Sequence, residues 1–352
     1  MRHDNRAIPI DPWVASSLLQ KAIRRDEVDY AVYAARTLHR QRGSGIWRRF
    51  LIIACEDVGI ADLDLVRHVA MLGDRSLRQP FGPDEEIVAD VAQRLAEAPK
   101  DRSSDYLACA AIEHPGYEHE REAVAVLPVE DQIAIAVDSQ QPIVRRAIAC
   151  WYSSGVNGGG CRVPGSDDLR GLLRGFERVG FAESLSGIIE TAARKTREPM
   201  TIMLPLVWAL LGEDTRSPLT EERPLPTAPC CGTIPAWALD KHTRAGKRAF
   251  AQLIRENPAI DAVLSEHVAD FRALDVLAMA CFYVDAIPVA RRLMWTRSHE
   301  LESLGLETDM AKVGCPRQGI EPILEAVVAN LNHLNAIRCR LFGAELAGGR
   351  SA

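Results

Sequence analysis

Aromatic residues are scarce in this 352-residue sequence, at 6%. That removes much of the material from which β-sheets are built and leaves a core to be assembled from Ala, Leu, Val and Ile. No apolar run reaches the ~18 residues that a membrane-spanning helix needs. The first eleven residues are polar and carry no signal-peptide pattern, so a cytoplasmic protein with no membrane partner is expected. Cys-x-x-Cys spacing is absent among the nine cysteines. Cys55, Cys109, Cys150, Cys281 and Cys339 stand in apolar helical surroundings and read as small buried hydrophobes of a reducing compartment. Cys161, Cys230, Cys231 and Cys315 fall in Pro/Gly-rich loops, but without ligand spacing they predict no metal site. Gly-x-Ser-x-Gly, His-Glu-x-x-His and Gly-x-Gly-x-x-Gly are missing too, so no recognised catalytic motif and no cofactor are expected. A formal charge of −6 argues against a general nucleic-acid coat and leaves room only for a local basic patch.

What is present is helical periodicity, almost without interruption. Val28, Ala31, Val32, Ala35 and Leu38 form one stripe at spacings of three and four. A second helix is expected from Gly45 to Gly59, with Gly59 as the residue that ends it. Asp62 is placed to cap a third helix that runs to Leu72. Only residues 132–137 alternate enough to raise the question of a strand. The fold class expected is all-α, a multi-helix array. Two breaks divide it. The triple-glycine stretch 153–165 reads as a mobile loop, and residues 213–235, with five prolines, read as an extended semi-rigid connector. The domains expected are a tail over 1–13, helical domains over 14–152, 166–212 and 236–345, and a second tail over 346–352. A last helix over 319–342 aligns Ile320, Leu324, Val327, Leu331, Leu334 and Leu341 on one seam. That seam serves either a coiled-coil partner, giving a homo-oligomer, or its own domain's core.

Four clusters carry chemistry. Residues 14–49 hold an excess of about five positive charges. Within them Lys21, Arg24, Arg25, Arg48 and Arg49 are candidates for gripping phosphates, against the plainer reading of a solvated helix face. Glu56 and Asp57 are neighbours on a helix, where side chains diverge by roughly 100°, so they read as structural partners for Arg or Lys across a helix contact rather than as one ligand set. The turn at 98–107 (APKDRSSDYL) should expose Lys100 and Arg102 and cap a helix with Ser103 or Ser104. Asp240, Lys241, His242, Arg244 and Lys247 form the densest cluster of reactive side chains, able to bind phosphate or transfer protons. Gly246-Lys247 lacks the preceding glycine and the following hydroxyl of a P-loop, so it is not a Walker A site. The bland alternative is a helix capped by Asp240 or Thr243 with a wet basic face.

Residues 17–26 (SLLQKAIRRD) and 47–62 (WRRFLIIACEDVGIAD) resemble the helical region that follows the ATPase core in the RarA/MgsA family of clamp-loader-like ATPases. The turn at 98–107 resembles that family's Ala-Pro-Lys-Ser-Asn turn, with Arg102 in place of the Asn and one extra residue. The likeness spans about residues 14–109. It implies a collar-like helical array and a setting in DNA replication or recombination. Since the sequence carries no Walker A, Walker B or arginine finger, ATP hydrolysis is not expected. The leading expectation is a non-catalytic scaffold that oligomerises, binds DNA through Lys21, Arg24, Arg25, Arg48, Arg49, Lys100 and Arg102, or docks on a separate AAA+ ATPase. The alternatives are a phosphate- or nucleotide-binding protein or enzyme centred on Asp240–Lys247, and a purely structural oligomer.

Overall fold

The computed structural model describes residues 10–158 and 167–348. It is 75% helical and 4% strand, an all-α fold. In chain order the helices are α1 (Pro12–Arg24), α2 (Val28–Arg42), α3 (Gly45–Ile53), α4 (Leu63–Leu72), α5 (Arg75–Arg78), α6 (Asp84–Glu97), α7 (Ser103–Glu113), α8 (Glu118–Ala125), α9 (Val129–Val137) and α10 (Ile143–Ser154). After them come α11 (Leu169–Arg178), α12 (Glu183–Thr196), α13 (Met200–Gly212), α14 (Arg244–Glu256), α15 (Pro258–His267), α16 (Ala273–Asp285), α17 (Ser298–Lys312), α18 (Arg317–Ala329) and α19 (Leu331–Gly348). The expected triple-glycine loop lies mostly outside the described residues.

Local chemistry explains where the elements begin. Asp11 caps α1, its carboxylate accepting from the amides of Trp13 and Val14, and Pro12 occupies the first turn, where its missing N–H costs nothing. Asp62 caps α4 through the Leu65 amide at 2.8 Å, as its position in the sequence indicates. Residues 132–137 are helical, the second half of α9. Their alternating appearance comes from a short apolar stretch that packs on α10 and α11.

Two apolar cores form. One gathers α1 to α13 and the segment to Ala245, joined by Leu293, Trp295, Leu301 and Phe342. The other is built from α14 to α19. Helix α7 bridges the two halves, packing on α10 and α13 on one side and on α17 on the other. The close approach of α7 and α17 depends on Gly305, where a Cβ would stand 2.3 Å from the Tyr106 ring.

Three expectations are revised. The proline-rich connector is not a plain spacer: it carries β1 (Leu219–Glu222), paired antiparallel with β4 (Arg291–Met294), and the short pair β2 (Cys230–Cys231) and β3 (Ile234–Pro235). Cys339, expected as a small hydrophobe, forms a disulfide with Cys231, whereas Cys55, Cys150 and Cys281 are free and buried. The single helix expected over 319–342 is two helices, α18 and α19, parted at Asn330. The Asn330 side chain donates to the Ala326 carbonyl and accepts from Asn257, competing with the helical ladder. Ile320, Val327 and Leu334 of the seam are buried in the second core, and Leu324, Leu331 and Leu341 pack against it. The seam therefore serves its own fold. No helix among the described residues is long and apolar enough to cross a membrane.

Candidate functional site

Six segments converge on one cleft of about 530 Å³, of the size of small-molecule sites. Helix α1 contributes Ser17, Gln20, Lys21 and Arg24, spaced to share a face. Helix α3 and the turn after it contribute Arg49, Ile52 and Glu56. Helix α7 contributes Arg102, Asp105, Cys109 and Glu113. The loop before α14 contributes Lys241 and His242, and the opposite wall is Phe282 of α16 with Asp309 and Lys312 of α17.

A buried ion network forms the floor. The chain over Ala54–Val58 winds as a π-turn, wider than an α-turn, and ends at Gly59 with φ of 55°. The wider turn lets Glu56 and Asp57 reach the same cations, which an α-helix would not permit for neighbours. Arg24 donates to Glu56 Oε1 and to Asp57 Oδ1, each at 2.8 Å, and to the Ala286 carbonyl at 2.9 Å. Arg102 donates to Glu56, Asp57 and Asp105. Gln20 donates to Asp57 Oδ2 at 2.9 Å and accepts from Arg49. Burial would raise the Asp57 carboxyl, but Arg24 and Arg102, with Gln20, outweigh it and hold it below the ordinary carboxylate value. Gly59 is irreplaceable for two reasons: its positive φ, and the 2.4 Å that would separate a Cβ from the Asp101 carbonyl oxygen.

The turn at 98–107 is seated on this floor. Lys100 and Arg102, expected at the surface, are 0% and 5% exposed. Lys100 Nζ donates to the Ala96 and Ala98 carbonyls at the end of α6 and reaches Asp26, while its backbone pairs with Arg291 and Leu293. Burial brings its ammonium down to about 8. The helix that follows is not capped by Ser103 or Ser104. Asp101 takes that role, accepting from the Ser103 amide at 3.1 Å, and Ser104 donates to the Cys55 carbonyl.

The Asp240–Lys247 cluster divides. Asp240 is fully buried and pairs with Lys21 at 2.6 Å. Thr243 caps α14 through the Gly246 amide. Lys241 points into the cleft, 3.0 Å from Met279 Sδ and 4.1 Å from the Phe282 ring centre, with no carboxylate in salt-bridge range among the described residues. His242 stands edge-on to Phe282 in the cleft wall. Arg244 and Lys247 are exposed and do not line the cleft. Of the other basic candidates, Arg49 and Arg48 reach the cleft, Arg48 at its rim beside Glu198. Arg25 turns away, over Trp237 and onto the Pro226 carbonyl.

Sequence reading missed Asp105, Cys109, Glu113, Asp309 and Lys312. The signal for the first three was a polar stripe at spacings of four on α7, a helix otherwise buried. Asp309 and Lys312 had no such mark, because α17 is mixed on every face.

Several titratable groups of the cleft are shifted from their ordinary values by burial and by one another. Burial raises Asp105 to about 7, helped by Glu56 and Asp309 and opposed by Arg102. Burial likewise raises Asp309, against Lys241 and the Tyr283 hydroxyl, which donates to it at 3.0 Å. Burial lowers Lys241, opposed by Asp309 and Asp240. Burial brings His242 down to about 4, with Lys241, Lys21 and Arg49 adding to the effect against Asp240. His242 is thus held toward its uncharged form and Asp105 toward its protonated form. Burial pushes the Cys109 thiol well above its ordinary value, so it is not a thiolate nucleophile. The Nε of Arg49 and that of Arg102 are buried without a hydrogen-bond partner among the described residues. No group of three or more His, Cys, Asp or Glu among the described residues is placed to hold a metal ion. The arrangement can hold an anion on its cationic wall and pass a proton through Asp105 or Asp309.

Comparison with known proteins returns no match: no family model fits the chain, and no curated protein or solved structure is similar to it.

Proposed function

We propose that the chain binds a small phosphorylated ligand in the cleft between α1, α7, α16 and α17. The observation that carries this reading is the pair Arg49 and Lys241. Both face the cavity, and neither is matched by a carboxylate within salt-bridge range among the described residues. Both are partly withdrawn from water, and a cation so placed without a carboxylate partner gains from a bound anion. Against a DNA scaffold stands the burial of Lys21, Arg24, Lys100 and Arg102, none more than 5% exposed, since a duplex backbone reaches only cations at the surface.

Titration calorimetry against inorganic phosphate, pyrophosphate, a sugar phosphate and nucleoside monophosphates is the direct test, with duplex DNA run alongside. Wild type binds at least one small phosphate. Lys241→Met and Arg49→Met each weaken binding about 10- to 100-fold, the usual worth of a hydrogen bond to a charged group. The Lys241→Met protein melts no lower than wild type, because it exchanges an unpaired ammonium for a thioether of similar length. Salt-dependent duplex binding with no small-phosphate binding, or variants that bind like wild type, would overturn the reading.

Affinity also depends on pH, with a definite sign. A carboxyl whose value is raised is protonated below that value, so the cleft gains positive character as pH falls through about 7. Sulfate keeps its charge over this range and isolates the effect of the protein. Its affinity rises between pH 8 and 6, and Asp105→Asn flattens the profile.

A further inference from the structure

Beside the charged cleft lies a second cavity, of about 690 Å³ and more apolar, whose lining includes Leu306, Leu324, Val328 and Leu331. The two cavities are neighbours rather than separate features of the surface. Ile287 lines both. Tyr283 lines the apolar cavity, and its hydroxyl donates to Asp309 of the charged cleft. Ile287 and Tyr283 thus stand at the boundary between them. Helix α17 passes from one cavity to the other on a single stripe: Glu302 and Leu306 face the apolar side, then Asp309 and Lys312 face the charged side, at spacings of three and four. Consecutive residues Phe282 and Tyr283 of α16 divide in the same way.

Val328, at the outer edge of the apolar cavity, is 61% exposed. Thr227, Glu302, Ser303 and Asn332 also line this cavity, but its surface is mainly apolar and open at its edge, so an apolar occupant is favoured there. It meets the charged cleft at Ile287, which lines both, and that junction fits an occupant with an anionic head at one end and a hydrocarbon portion at the other.

We infer that the ligand is amphiphilic, a phosphate monoester of an aliphatic alcohol. Its head lies against Arg49 and Lys241, and its chain passes Ile287 into the cavity of Leu306 and Val328. This rests on the phosphate reading above and adds the chemical class of the organic half. Nothing covalent is required of the protein.

The experiment is a chain-length series: inorganic phosphate, then butyl, octyl and dodecyl phosphate, titrated below their micelle concentrations. In wild type, affinity rises about fourfold per methylene, the worth of burying one CH₂ group, until the cavity is full. In Ser303→Phe, which fills the cavity from an exposed helix position, and in Val328→Asp, which charges its mouth, the gain with chain length disappears. Inorganic phosphate is the internal reference, because it reports the head site alone. If phosphate binds but all four ligands bind equally, or if the slope persists in both variants, the amphiphile is excluded while the phosphate site stands. If no member binds, the phosphate reading fails first. Concentration-dependent self-association of wild type that is lost in Val328→Asp, with no chain-length dependence, would assign the apolar cavity to a second copy and overturn the inference.

Discussion

Replacing Asp57 with alanine lowers folding stability by about 3–5 kcal/mol, the cost of removing one partner from a buried ion network. The residue is fully buried, and its carboxylate is shared by Arg24, Arg102 and Gln20. Its loss leaves Arg24 with Glu56 as its one carboxylate and Arg102 with Glu56 and Asp105, at the point where α1, the π-turn and the start of α7 meet. Chemical denaturation of wild type and variant measures the difference. Asp57→Ala combined with Arg24→Met costs less than the sum of the two changes, because the double variant removes both halves of one pair. A penalty under 1 kcal/mol would mean that the network relaxes onto water and does not hold these helices together.

The same residue carries a pH dependence whose sign follows from its depressed value. A carboxyl held below its unfolded value contributes stability that is complete above that unfolded value, about 3.9. The contribution is lost as pH falls through the folded value. The gap between wild type and Asp57→Ala is therefore constant from pH 5 to 7 and narrows below pH 4. A gap that widened in acid would contradict the pairing.

Reducing the Cys231–Cys339 disulfide costs about 5 kcal/mol in the chain-entropy account, because the bond closes a loop of 108 residues. It joins β2, packed under the first core, to α19, which packs chiefly in the second. Thermal melts with and without a phosphine reductant give the shift. Cys339→Ser melts like the reduced wild type and does not respond to reductant. Cys230 is exposed and free beside Cys231, 3.4 Å from the Tyr30 hydroxyl, so Cys230→Ser serves as the control that leaves the disulfide in place. Identical melts for oxidised and reduced wild type would show that non-covalent packing alone sets the stability.

Residue by residue, the sequence was most legible where the cause is local. The stripe on α2, the Asp62 and Thr243 caps and the ending at Gly59 all depend on residues within one or two turns of one another. Pairing of Glu56 and Asp57 with arginines could be anticipated from their position near a helix end, where bare carboxylates are disfavoured. That both would reach the same two arginines could not, since it needs the widened turn. The 319–342 seam was read correctly as a pattern, but Asn330 broke the element that carried it.

Composition and periodicity by themselves determined an all-α chain with an apolar interior of small aliphatic residues, and marked a basic N-terminal module and a reactive cluster near residue 240. Only the tertiary structure decided that these two regions meet, that Lys21 closes on Asp240 across more than 200 residues, and that Lys100 and Arg102 lie inside. It also decided that Asp105 and Asp309 complete the cleft, and that an apolar cavity adjoins it. The division has a physical cause. Helical periodicity and caps are set by backbone hydrogen bonds a few residues long, whereas the charge of a site is set by which helices pack together. That packing is driven by apolar area, and apolar area carries no record of the polar residues it will bring face to face.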